Sequence, residues 1–124
     1  MRPNQQTTAI GTLSDITRSL ERIESGSSAL SVALPLLSAG TQITVHTRNT
    51  CYRMEVMDGS ARRVMISGGL LFPQGAEVEV IGATDDEGVR VGWIVEGLQI
   101  ELSTVRGPVL TSIVESLSVR QSEG

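Results

Sequence analysis

Residues 42–56 read QITVHTRNTCYRMEV, and the alternation within this stretch decides the fold class. The apolar positions are Ile43, Val45, Tyr52, Met54 and Val56, and the polar positions between them are Gln42, Thr44, His46, Cys51, Arg53 and Glu55. Successive side chains of a β-strand point to opposite faces of the sheet. The stretch therefore predicts two antiparallel strands with one face buried in a core and the other face in water.

The same two-residue period continues over residues 29–120, interrupted by turn signals such as Asp58-Gly59 and Arg106-Gly107-Pro108. About six or seven short strands separated by turns are typical of an all-β barrel or sandwich. Closure removes strand edges that would otherwise pair with other chains, and Gly82, Gly92 and Gly97 suit the bends of a small barrel. We therefore predict a small antiparallel six- or seven-stranded β-barrel as one domain over residues 29–120.

The N-terminal region, residues 1–28, is predicted to form a flexible tail followed by an amphipathic helix over about residues 13–25. Leu13, Ile16, Leu20 and Ile23 fall at i, i+3, i+7 and i+10, which places them on one stripe of a helix. A helix of this length is marginal in water by itself. We expect it to dock either on its own barrel or on a second copy of the chain.

Composition excludes several classes of function. The chain has 124 residues, the size of one domain, and a net charge of −4, whereas a generic DNA-coating protein needs a strongly basic surface. Its single cysteine, Cys51, leaves no intrachain disulfide and no cysteine-based zinc site. The polar N-terminus and the absence of a membrane-spanning apolar run predict a cytoplasmic protein without a membrane anchor. We predict no metal site and no cofactor.

Several short motifs resemble a group of short uncharacterised bacterial proteins. They are Thr47-Arg48-Asn49-x-x-Tyr52, Gly68-Gly69-x-x-Phe72-Pro73, Gly92-Trp93-Ile94-x-x-Gly97-Leu98 and Thr111-Ser112-x-Val114. The resemblance covers about residues 38–118. It implies a compact β-barrel and brings no activity with it.

A cluster of arginines is the most distinctive candidate for ligand binding. Arg48, Arg53, Arg62 and Arg63 lie close to Tyr52 along two predicted hairpins. Small barrels use clustered arginine and exposed aromatic rings to hold phosphates or bases. In the competing interpretation, these arginines pair with carboxylates of neighbouring strands, namely Glu55, Glu77, Glu79 or Glu101.

Catalysis is the least favoured class. Alternation directs His46 towards solvent, and Cys51 shares that face, so a Cys51–His46 pair across the hairpin is conceivable. The chain lacks the Gly-x-Ser-x-Gly motif of serine hydrolases. No catalytic residue is therefore assigned, and a Cys/His-dependent enzyme stays a second alternative.

The sequence as a whole favours a non-enzymatic binding or assembly module that self-associates or binds a protein partner. Its predicted interface residues are Leu13, Ile16, Leu20, Ile23 and Trp93. Burial of the helix stripe and Trp93 against another copy would add stability to a chain this small. The alternative is binding of nucleic acid or another anionic ligand through the arginine cluster and Tyr52.

Overall fold

The computed structural model describes residues 20–22 and 29–121, which form β-strands and one turn of 3₁₀ helix at Leu34–Leu36. The strands are β1 (Leu20–Arg22), β2 (Leu30–Ala33), β3 (Gln42–Thr47), β4 (Cys51–Asp58), β5 (Arg63–Gly68), β6 (Phe72–Asp85), β7 (Gly88–Val91), β8 (Trp93–Val95), β9 (Gln99–Thr104), β10 (Gly107–Leu110) and β11 (Val114–Arg120). The prediction of an all-β antiparallel protein is confirmed for these residues.

The strands form two antiparallel sheets. The large sheet has eight strands in the order β10-β9-β6-β5-β4-β3-β11, with β7 also paired to β6. The small sheet has the order β1-β2-β8. β6 is the longest strand because its first half pairs with β5 and its second half lies between β7 and β9.

The predicted closed barrel is wrong, because the large sheet is open and ends at β10 and β11. These two edges are protected in other ways. Pro108 lies in β10, and proline within a sheet is typical of edge strands because it has no N–H to donate to a further strand. β11 is tied to the segment before β9, where Gly97 N and Val114 N donate to Val114 O and Leu98 O at 2.8 and 2.9 Å. Full closure is therefore not required to protect the backbone of these edges.

The predicted N-terminal helix is wrong where it can be compared with the structure. Leu20–Arg22 form β1, in which Leu20 pairs with Val32 and Arg22 with Leu30. A stripe of apolar residues over so few turns does not nucleate a helix without tertiary support, and pairing with β2 supplies backbone hydrogen bonds here. Leu13, Ile16 and Ile23 lie outside the described residues. The described residues contain no helix with the length and apolar character needed to cross a membrane.

One hydrophobic core lies between the two sheets. It takes Val32 and Ile94 from the small sheet and residues from all of the long strands of the large sheet, including Ile43, Ile66 and Leu102. In β3 and β4 the buried and exposed positions alternate along most of each strand, as the sequence predicts. The outward positions of these strands consequently form a polar surface with a fixed register.

Candidate ligand-binding groove

A groove of about 820 Å³ runs across the outer face of β11, β3, β4 and β5. We call this surface the groove. The polar side chains that line it are Gln42, Thr44, His46, Cys51, Arg53, Glu55, Ser67, Ser118 and Arg120. Its volume falls within the range of about 300–1,000 Å³ that is usual for small-molecule sites. The pairing of these strands arranges the outward-facing residues of the groove in three rows, each of which runs across the strands.

The central row places Arg53 among small hydroxyl side chains. Arg53 of β4 lies opposite Thr44 on one side and Ser67 on the other, and Thr44 in turn lies opposite Ser118. Arg53 is exposed, and no carboxylate of the described residues forms an ion pair with it. Its side chain is therefore available to a ligand, and the neighbouring positions on both adjacent strands carry hydroxyl residues.

A second row carries one cation and one anion at separate positions. Arg120 lies opposite Gln42, and Gln42 lies opposite Glu55. Because Gln42 separates them, Arg120 and Glu55 are two strands apart, about 10 Å, and no ion pair joins them. The groove therefore contains two arginines and one glutamate in a chain whose net charge is −4.

The third row brings together the two residues with the most reactive side chains. Cys51 and His46 are direct cross-strand partners, and Cys51 Sγ lies 3.9 Å from His46 Nε2. Both side chains are exposed, as the alternation predicts. Within the described residues no hydrogen bond involves His46 Nδ1, so no third residue there orients the ring.

The four arginines singled out from the sequence do not share one environment. Arg62 pairs with Glu79, and Arg63 Nε lies 2.6 Å from Glu77 Oε2. Carboxylates thus neutralise both of these arginines, in agreement with the competing interpretation of the sequence. Of the four, only Arg53 lines the groove.

The remaining members of that cluster lie elsewhere. Arg48 is exposed in the turn after β3, where its amide donates to Ile113 O at 3.2 Å. Tyr52 is 5% exposed, and its ring meets that of Phe72 edge to face with centroids 6.2 Å apart. Tyr52 therefore offers no face on which a base could stack.

The predicted interface residues are only partly described. Leu20 lies in β1, and Trp93 begins β8, where it is half-buried and pairs with Ala33. Among the described residues, the large apolar side chain with the highest exposed fraction lies instead at the β5–β6 turn, where Leu70 is fully exposed.

Sequence reasoning missed Arg120, Ser67 and Ser118 as residues of the groove. The period along β11 is disturbed by a register shift between Val114 and Ser116. The pairing of β11 with β3 joins residues about 70 positions apart, and this long-range register is not readable from local alternation. Once that pairing is given, the residues opposite Gln42 and Thr44 are fixed as Arg120 and Ser118.

A smaller depression lies toward the opposite edge of the large sheet, on β6, β9 and β10, and its charged groups are carboxylates. Asp85, Asp86 and Glu101 line it together with Gln99 and Leu110. The described residues include no group of three or more His, Cys, Asp or Glu side chains that could hold a metal ion. No model of a protein family, no curated protein and no solved structure matches the chain.

Proposed function

We propose that this protein is a non-enzymatic binding module that takes an anionic group, a carboxylate or a phosphate, into the groove. One observation carries the proposal: Arg53 is exposed, its cross-strand neighbours are Thr44 and Ser67, and it has no carboxylate partner among the described residues. A guanidinium binds carboxylate and phosphate oxygens in a two-point geometry. The flanking hydroxyls can donate further hydrogen bonds to the same anion.

The buried position of Tyr52 favours a small anionic group over nucleic acid. Single-stranded nucleic acid is held by aromatic platforms together with a positively charged track. Here the ring of Tyr52 is packed against Phe72, and Glu77 and Glu79 neutralise two of the four arginines. The arginines without a carboxylate partner among the described residues are enough to bind one or two anionic groups but too few to hold a polyanion.

The proposal is tested by titrating the protein with succinate and with inorganic phosphate and following backbone amide shifts by NMR. We expect shifts concentrated at Thr44, Arg53 and Ser67, and at least tenfold weaker binding for Arg53→Gln. Arg106→Gln is the matched control, because Arg106 is exposed in the β9–β10 turn, away from the groove. Shifts scattered over the surface, or equal binding by both variants, would refute the proposal.

A second candidate function is nucleophilic chemistry at Cys51, which the 3.9 Å contact with His46 favours. A thiol beside an imidazole is the minimal arrangement of a cysteine nucleophile, although a third group usually orients the base. Iodoacetamide labelling at neutral pH, followed by mass spectrometry, tests it. This function requires folded Cys51 to react faster than the same thiol in denaturant, and His46→Gln to remove the difference. Slower labelling in the folded state excludes it.

A further inference from the structure

We infer that the groove of one copy receives the acidic β6–β7 turn of a second copy, so that molecules of this protein associate head to tail. The inference rests on the proposed anion-binding role of the groove and names its occupant. We call the three residues Asp85, Asp86 and Glu87 the acidic turn.

The acidic turn is a concentrated and accessible negative charge. Its three carboxylates are consecutive and exposed, and none forms an ion pair with another described residue. The turn connects β6 to β7, a strand that is exposed along its whole length and pairs only with β6. The second half of β6 is also paired with β9, so the turn lies at the surface of the large sheet, where its exposed carboxylates can be reached by another molecule.

The acidic turn is also ordered before any partner binds. Asp85 Oδ1 accepts a hydrogen bond from Glu87 N at 2.8 Å, and Thr84 Oγ1 donates to Gly88 O at 3.2 Å. Little backbone freedom remains to be lost on binding, which lowers the entropic cost of association. The side chains of Asp86 and Glu87 form no hydrogen bond within the described residues and remain available to a partner.

The groove has the complementary charge. Arg53 and Arg120 outnumber Glu55 there, whereas the depression beside the acidic turn holds only carboxylates as charged groups. Juxtaposition of opposite potentials steers association and fixes its orientation. Within one chain the two surfaces belong to different strands of the large sheet, the groove to β11-β3-β4-β5 and the turn to β6–β7. The acidic turn does not line the groove of its own chain, and a second copy supplies a turn of the complementary charge.

The geometry of this contact determines the type of assembly. The two surfaces are different patches, so the interface is heterologous, and repetition gives rings or open filaments and not a two-fold dimer. A contact dominated by a few charges is also sensitive to salt. We expect weak association that extends beyond the dimer as concentration rises and that decreases when salt is added.

Sedimentation velocity of the full chain over a range of concentrations tests the inference through charge reversal. One variant carries Asp86→Arg and Glu87→Arg, which leaves the Asp85 hydrogen bond in place. The other carries Arg53→Glu and Arg120→Glu. Each variant alone places like charges at the contact, and we expect its association to be at least tenfold weaker than that of the unmodified chain.

Mixing the two variants is the decisive measurement. In the mixture, the turn of the Asp86→Arg/Glu87→Arg variant is basic and can bind the acidic groove of the Arg53→Glu/Arg120→Glu variant. The unmodified acidic turn of the latter can bind the unmodified basic groove of the former. Association should return to within about threefold of the unmodified chain, while Arg106→Glu, a reversal outside both surfaces, should leave it unchanged. Failure of the mixture to recover association overturns the inference, as does an unmodified chain that stays monomeric at about 1 mM.

The outcome is separable from that of the proposed function. If the chain stays monomeric while succinate still shifts the amide of Arg53, the head-to-tail contact is wrong and anion binding stands. If succinate and phosphate produce no shifts at the groove, the proposed function fails first, and any association must use another surface.

Discussion

The side-chain carboxylate of Glu96 accepts a hydrogen bond from the backbone amide of Leu117, with Oε2 lying 3.0 Å from the nitrogen. Its other oxygen, Oε1, accepts from the amide of Leu30 at 3.1 Å. Glu96 N in turn donates to Leu30 O at 2.9 Å. Leu30 begins β2 in the small sheet and Leu117 lies in β11 at the edge of the large sheet. One half-buried carboxylate therefore joins the two sheets.

Replacing this carboxylate should lower the stability of the fold. Glu96→Ala removes the acceptor for both amides, and hydrogen bonds to charged groups contribute about 1.5–3 kcal/mol each. Because Glu96 is only half-buried, water can replace part of that loss. We expect a decrease of about 2–3 kcal/mol in the free energy of unfolding, measured by urea denaturation.

Glu96→Gln and Glu115→Gln provide the matched comparison. The amide of glutamine has one acceptor oxygen and presents its NH₂ group to the other backbone donor, so Glu96→Gln should cost about 1–2 kcal/mol. Glu115 is exposed on β11, and its replacement should stay within about 0.5 kcal/mol. Equal stability of the two glutamine variants would show that Glu96 does not join the sheets.

Gly68 and Gly88 have nearly the same φ angle but different surroundings. Alanine substitutions at these two positions therefore distinguish the effect of backbone strain from the effect of steric overlap. Gly68 has φ of 131° and Gly88 has φ of 133°, a region that side chains disfavour. A Cβ at Gly68 would lie 2.3 Å from Cys51 O, whereas a Cβ at Gly88 meets nothing within 4 Å.

We therefore expect Gly68→Ala to cost about 3–4 kcal/mol in unfolding free energy and Gly88→Ala only about 1–2 kcal/mol. Because the overlap at Gly68 is with the backbone of Cys51, Gly68→Ala should also shift the NMR amide signals of Cys51 and His46. Chemical denaturation and amide spectra of both variants check this. Similar costs for the two alanines would mean that backbone angle alone, and not space, determines the effect.

The faces of β3 and β4 were predictable from the sequence because strand alternation is a local property. Alternation predicts that Arg53 and His46 lie on the outer face, and the structure places both there beside Cys51. Arg120 was not recognised, because its place in the groove depends on the pairing of β11 with β3 across most of the chain. Local patterns fix which face a residue occupies, whereas long-range register fixes its neighbours.

The errors in architecture have a related cause. Alternation does not distinguish a closed barrel from an open sheet whose edges are protected by Pro108 and by the hydrogen bonds of Val114. Likewise, Leu20 fits a helical stripe, but its pairing with Val32 is a tertiary contact that no local spacing reveals. Both outcomes depend on contacts between distant segments, which override local propensity.

Truncating a core side chain should lower the free energy of unfolding of this small protein far more than truncating a surface side chain. Ile66 is completely buried on β5, whereas Leu70, in the next turn, is completely exposed. Ile66→Ala leaves a cavity and should lower the unfolding free energy by about 3–4 kcal/mol. Leu70→Ala should change it by less than about 0.5 kcal/mol. A comparable loss for both variants in thermal or urea denaturation would contradict the placement of β5 in the core.

The turn between β4 and β5 begins at a carboxylate, Asp58, whose protonation should affect the stability of the turn at low pH. The amide of Ala61 and the hydroxyl of Ser60 donate to Asp58 Oδ1 at 3.2 and 3.0 Å, and these bonds hold the pKa of Asp58 below its ordinary value of 3.8. Because the folded-state pKa is depressed, the stabilisation is fully present above about pH 3.8 and is lost as the pH falls through the folded-state pKa. The turn should therefore weaken only under strongly acidic conditions.

Ser60→Ala tests this cause directly, because it removes the hydroxyl donor and keeps the backbone donors of Ala61 and residue 60. The pKa of Asp58, followed by NMR of its side-chain carboxyl carbon, should rise in the variant but stay below 3.8, because the Ala61 amide still donates. Ser103→Ala, at an exposed serine of β9, should leave the titration of Asp58 unchanged. If Ser60→Ala titrates like the unmodified chain, the Ser60 hydroxyl does not stabilise the carboxylate, and the depression must come from the backbone of the turn alone.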